Sequence, residues 1–168
     1  MAVPAVIDVP SVGDAIAPLV IESVDPQRMK TMAAILRDPY PIHWDRAAGA
    51  SMGLGQRTVN QGPLNLGYIA NMLMAWAGDD AIRRLTVKFH ARVLDGDRVV
   101  ARGVVDAVST TADGWDATCS VWLERDALSI VSGTAQVRHR RTRDDADHRA
   151  LGTAEQHPTN VRRPNIDC

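Results

Sequence analysis

GPLNLGYIANMLMAWAG, residues 62–78, contains no charged side chain and presents apolar groups to nearly every face of a helix. Pro63 stands at a first-turn position, where its missing N–H costs nothing, and Gly78 supplies a stop. The 15 residues between the two terminal glycines reach roughly 22 Å at the helical rise, too short to cross a bilayer unaided. A helix of this kind has to be enclosed by protein.

Downstream of it the apolar period changes to two. RLTVKFHARVL (84–94), RVVARGVVDAV (98–108), DATCSVWLER (116–125) and ALSIVSGTAQVRH (127–139) read as four strands. Asp95-Gly96-Asp97 and the TADG stretch at 111–114 are placed to make tight hairpin connections. Upstream, APLVIES (17–23) suits a short strand, and PQRMKTMAAIL (26–36) a helix capped by Asp25 and opened by proline. Pro39 and Pro41 end that helix; a helical turn resumes around 45–50, ahead of the glycine-rich SMGLGQ at 51–56.

Consecutive hairpins imply an antiparallel sheet, and one strongly apolar helix implies a sheet curled around it. The fold class is therefore α+β, with the hotdog arrangement, a long buried central helix wrapped by a curved antiparallel sheet, set against a generic α+β roll. The hotdog domain takes residues 15–139. Residues 1–14, with Pro4, Pro10 and Gly13, read as an N-terminal arm, and 140–168, mixed in charge sign, as an extended or partly disordered tail.

The chain has 168 residues, 45% hydrophobic and 23% charged, which suits one main domain with a real core. Its formal charge of -1 points away from a polyanion partner. The basic RHRRTR at 138–143 is followed at once by Asp144, Asp145 and Asp147, so nucleic acid is not expected as a ligand. No long apolar run marks a leader or a membrane span, and Cys119 and Cys168 have neither metal-ligand nor disulfide spacing. A cytoplasmic protein with free thiols and no metal is expected.

RDPYPIHWDRAAG, residues 37–49, sets Asp38 and His43 about two prolines. By residue types alone it suits a helix-ending turn with a capping aspartate and a surface histidine as well as a pair of proton-handling side chains. Asp38 and His43 are five apart, which on a helix would separate them by about 140°. The two prolines remove the helix and brace a loop in its place. With the helix and strands in this order, the chain resembles the MaoC-like branch of the hotdog superfamily, which includes the R-specific enoyl-CoA hydratases. Asp38-Pro39-Tyr40-Pro41-Ile42-His43 matches the Asp, Pro, aliphatic and His positions of its DxNPLH-type motif. Gln61-Gly62-Pro63 matches the short HGM-like approach to the central helix, and Gly96-Asp97 a glycine-aspartate hairpin.

This resemblance implies hydration or dehydration of an α,β-unsaturated thioester, with Asp38 and His43 sharing one water and no cofactor required. Two groups of different basicity on one water can manage both proton transfers. The developing enolate needs a donor, and the start of a buried helix offers unpaired N–H groups. Gly62 is the choice by resemblance; residue types alone do not separate it from Leu64. Tyr40, Gln61, Leu64 and Asn65 are expected to touch the substrate, an acyl-CoA or acyl-carrier thioester.

Three positions depart from the family pattern. Tyr40 stands in place of asparagine, Arg37 in place of a frequent glycine, and Gln61 in place of histidine. More loosely, this resembles actinobacterial single-hotdog proteins that act on large acyl-CoA thioesters, some as one subunit of a heteromer. A homodimer or higher homo-oligomer, or a heteromer with a second hotdog subunit, is expected. The alternatives are a non-catalytic acyl-thioester subunit and a hotdog thioesterase, against which stands the lack of any acidic residue at 63–77. Arg57, Arg83, Arg84 and Lys88 suit either phosphate contacts or solvated strand ends. His90 reads as a sheet-face residue.

Overall fold

The computed structural model describes residues 8–140. Residues 1–7 and 141–168, which take in half of the expected arm and nearly all of the expected tail, lie outside the described residues. Five strands, β1 (Ala15–Ile21), β2 (Ile82–Phe89), β3 (Val99–Thr111), β4 (Gly114–Arg125) and β5 (Leu128–Arg140), form one antiparallel sheet in the order β1-β3-β4-β5-β2. Three helices, α1 (Pro26–Leu36), α2 (Arg46–Ser51) and α3 (Gly62–Ala77), and a 3-10 turn at Pro41–His43 lie between β1 and β2. This is the hotdog arrangement, and α3 is its central helix.

Local chemistry accounts for the boundaries. Asp25 accepts the Gln27 N–H at 2.8 Å and Pro26 opens α1. Asp45 caps α2 in the same way through the Ala47 N–H at 2.9 Å. Gly78, at φ 110, ends α3. β4 alternates buried and half-buried side chains along nearly its whole length, the period of a sheet with one face on a core. Cys119 is on its inner face, and burial, with the Asp106 charge, pushes its thiol up to about 11.

Two expectations change. The Asp95-Gly96-Asp97 turn does not join paired strands: β2 pairs with β5, and β3 lies between β1 and β4. It sits in a crossover connection, where Asp95 and Asp97 are buried. The strand expected at 84–94 also stops at Phe89, because the chain must leave the sheet to make that crossover. By contrast, the 111–114 stretch does turn β3 into β4, with Thr111 paired to Gly114.

The sheet covers one side of α3. A Cβ at Gly103 would come within 2.9 Å of Ile16 Cδ1 and 3.3 Å of Met72 Cε, so glycine is what lets strand and helix approach. On the other side Asn71 and Ala75 are exposed, and a Cβ at Gly67 would meet nothing within 4 Å. One chain thus encloses its apolar helix only in part. No helix among the described residues is long and apolar enough to cross a membrane.

These two glycines predict opposite outcomes. Gly103→Val overfills the sheet–helix contact and should cost about 1–3 kcal/mol in urea unfolding. Gly67→Ala, placed on an open helix face, should be neutral or stabilise by up to about 1 kcal/mol.

Candidate active site

α1 ends at Leu36 because Arg37 takes the left-handed conformation, φ 51 and ψ 39, and turns its N–H back onto Ala33 and Ala34. Asp38 N–H follows it to the Ala33 carbonyl at 2.9 Å. The prolines prevent any return to helix, and Asp38 Oδ1 accepts the Tyr40 N–H at 3.0 Å, an Asx turn that fixes the carboxylate. Pro41–His43 then makes one 3-10 turn, with Ile42 buried.

His43 and Asp38 come together. Nε2 of the histidine lies 3.5 Å from Asp38 Oδ2, with 15% and 30% of the two side chains exposed. At the far side of the ring, Nδ1 is 2.7 Å from the Val59 carbonyl. A carbonyl only accepts, so Nδ1 carries the proton and Nε2 of the neutral ring keeps its lone pair. Nε2 and the carboxylate are too far apart for a direct hydrogen bond, yet near enough for one water oxygen to bond both. The Tyr40 ring stands edge-on to the imidazole, with centroids 6.1 Å apart.

The carbonyl that orients His43 is held by a second layer. Val59 N–H bonds Ile42 O at 2.9 Å, Asn60 N–H bonds Val93 O at 2.8 Å, and Asp95 N–H bonds Thr58 O at 3.0 Å. Asp95 Oδ1 accepts the Thr58 N–H at 3.2 Å. Arg57 reaches the Asp95 carbonyl and Asp97 Oδ1, Arg125 bonds Asp97 Oδ2 at 2.6 Å, and Arg46 contacts Asp95 Oδ2 at 3.3 Å. Burial alone would raise the Asp97 carboxyl, but the Leu94 N–H, Arg125 and Arg57 outweigh it and hold it below the usual carboxylate range.

At the start of α3 the Leu64 N–H is spent on Gln61 O at 3.1 Å. Gly62, the first helical residue, has no intrahelical acceptor for its N–H. The Phe89 ring packs beside it, with Cζ 3.5 Å from where a Gly62 Cβ would lie. Gln61 and Asn65, expected to touch substrate, are both buried and used within the chain. Gln61 Nε2 donates to Met29 O at 2.8 Å, and Asn65 Oδ1 accepts from Asn60 Nδ2 at 2.7 Å. His90 lies just past β2 and bonds Ser132 Oγ through Nε2 at 2.7 Å.

Residues 12–118 match the family model of the MaoC like domain. The chain belongs to the MaoC-like dehydratase family. An (R)-hydratase from A. caviae involved in PHA biosynthesis superposes with a TM-score of 0.67 at 25% identity, over 77% of this chain and 97% of that one. An unliganded R-hydratase from Pseudomonas aeruginosa gives 0.67 at 18% identity, over 79% and 84% of the two chains. The ChsH1–ChsH2 complex from Mycobacterium tuberculosis gives 0.65 at 22%, over 77% and 98%. No curated protein sequence matches the chain. These likenesses agree with the MaoC-like hotdog fold described above.

Sequence reasoning passed over the clamp behind His43 in this MaoC-like domain. Arg57 reads from sequence as either a phosphate contact or a solvated strand end, whereas it is engaged by Asp95 and Asp97. Its partners lie 38 and 40 residues away in the chain, beyond any local pattern. Asp97 also gives a pH prediction. A depressed carboxyl contributes stability that is complete above its unfolded pKa, near 4, and is lost as pH falls through its lower folded value. Acid unfolding followed by tryptophan fluorescence should therefore show a shallower acid limb in Asp97→Asn than in the wild type.

Proposed function

We propose that this protein hydrates, or in reverse dehydrates, the α,β double bond of an enoyl thioester, enoyl-CoA in particular, and acts in the cytoplasm. The observation that carries the reading is the 3.5 Å approach of His43 Nε2 to Asp38 Oδ2, with the Nδ1 proton of His43 committed to Val59. A water bonded to both groups loses a proton to the dyad as its oxygen adds to the β-carbon. The dyad returns that proton to the α-carbon, so no proton is gained or lost overall. Charge building on the thioester oxygen is met by the Gly62 N–H and the positive end of α3. Tyr40, 55% exposed, and Leu64 border the thioester, while Gln61 and Asn65 support the helix start.

Hydration of a panel of trans-2-enoyl-CoAs tests this reading. The wild type should be active, and Asp38→Asn and His43→Ala should each lose about 10²-fold or more in kcat/KM with unchanged far-UV dichroism. Full rate in both variants would show the dyad assignment to be wrong.

We further infer that the working unit holds two hotdogs, either two copies or this chain with a second subunit. The open face of α3 at Gly67, Asn71 and Ala75 supports it, as does β2, which among the described residues pairs with β5 alone. Light scattering after size exclusion should give at least a dimer for a homomeric wild type, and a smaller species for Gly67→Arg. A wild-type monomer that turns over only with an added hotdog partner would favour the heteromer.

A further inference from the structure

VNQG, residues 59–62, joins the two halves of the site. At one end the Val59 carbonyl meets Nδ1 of His43 at 2.7 Å, and at the other Gly62 opens α3 with an N–H that has no intrahelical acceptor. Three residues of extended chain reach at most about 11 Å. A shift of this segment therefore moves the support of the base and the oxyanion donor together.

Between those ends two buried side chains tie the segment to different helices. Asn60, 3% exposed, donates from Nδ2 to Asn65 Oδ1 at 2.7 Å in the first turn of α3. Burial pushes the Tyr68 phenol up, and the Asn60 side chain acts against that shift, so Asn60 also lies beside the next turn of α3. Gln61, 1% exposed, stands at the N-cap of α3 but makes no capping bond with its side chain. Its Nε2 reaches instead to Met29 O at 2.8 Å, in the helix that leads into Asp38. The Gln61 carbonyl accepts from the Leu64 and Asn65 N–H groups, both at 3.1 Å.

A buried amide pair is not needed for stability. Most of its attraction is cancelled by lost hydration, and two apolar side chains of the same size would fill the same space at little or no cost. What the pair adds is direction, because one donor and one acceptor meet in one arrangement whereas apolar groups slide. Direction matters here, since the base and the oxyanion donor act on neighbouring atoms of one substrate and a misplacement of about 1 Å costs roughly 10²-fold in rate. We propose that Asn60 and Gln61 are positioning residues, which hold the His43 ring and the Gly62 N–H in fixed relation to each other. The proposal rests on the enoyl-thioester reading and adds to it what keeps the two halves of the site aligned.

Asn60→Leu/Asn65→Leu removes both amides of the pair and leaves neither unpaired. In the full chain this double variant should keep a urea midpoint near the wild type, yet lose at least about tenfold in kcat on a trans-2-enoyl-CoA, with KM changed less than about threefold. Nitrogen-15 resonances of His43 should place the ring proton on Nδ1 in the wild type and show a mixture of both tautomers in the double variant. Gln61→Met keeps the side-chain length and loses the donor; it should lower kcat several-fold at an unchanged urea midpoint, and it carries the test if the double variant does not fold. Wild-type kcat and a wild-type tautomer in the folded variants overturn the proposal while the dyad reading stands. So does a loss of rate confined to variants that have lost urea stability, the mark of a merely structural pair. If the wild type hydrates no enoyl thioester, the thioester reading fails and the His43 tautomer decides the positioning: a shift in either variant upholds it, and none overturns it.

Discussion

The site depends on the pairing of two short segments outside the named strands, Thr58–Val59–Asn60 and Val93–Leu94–Asp95. Two backbone hydrogen bonds, Asn60 N–H to Val93 O and Asp95 N–H to Thr58 O, hold them together with the Asp95 carboxylate, which accepts the Thr58 N–H. Burying two aspartates costs several kcal/mol of lost hydration each, and the cost is offset only if every oxygen finds a donor. Here Arg46, Arg57, Arg125 and main-chain N–H groups do so. Because the Val59 carbonyl accepts from Nδ1 of His43, this pairing decides which ring nitrogen, Nε2, is left facing Asp38.

The bracing of the opposite member has another origin. Asp38 is fixed from its own side of the chain, by the left-handed Arg37, the prolines and the Tyr40 N–H. One partner is held by local turn chemistry and the other by contacts reaching across the fold. The 3.5 Å separation between them is thus the result of two independent constraints, and neither alone would produce it.

Much of this could be read in the residues. The uncharged run at 62–78, the period-two segments after it and the caps at Asp25 and Gly78 are local signals, and they identify the architecture. Asp95-Gly96-Asp97 misled because a turn motif reports a change of direction and not which strands become neighbours. The β4–β5 turn gave no signal, since Asp126 and Ala127 both adopt positive φ, 50° and 62°, where glycine or asparagine would be the usual marker. In the site, Asp38 and His43 stood out through their motif. The Val59 carbonyl could not, because a backbone group leaves no mark on residue type.

The strand order has a consequence for chain entropy. β3, β4 and β5 are joined by short turns, so their pairing closes small loops. β1 reaches β3 by joining Ala15 to Val104, and β2 reaches β5 by joining Ile82 to Val137. Closing a loop costs more as its length grows, and long-range pairing slows folding. The three-stranded meander is therefore the inexpensive part of the sheet. Both edges, and the proline-braced segment strung between them, close the longer loops and carry the larger share of the ordering entropy.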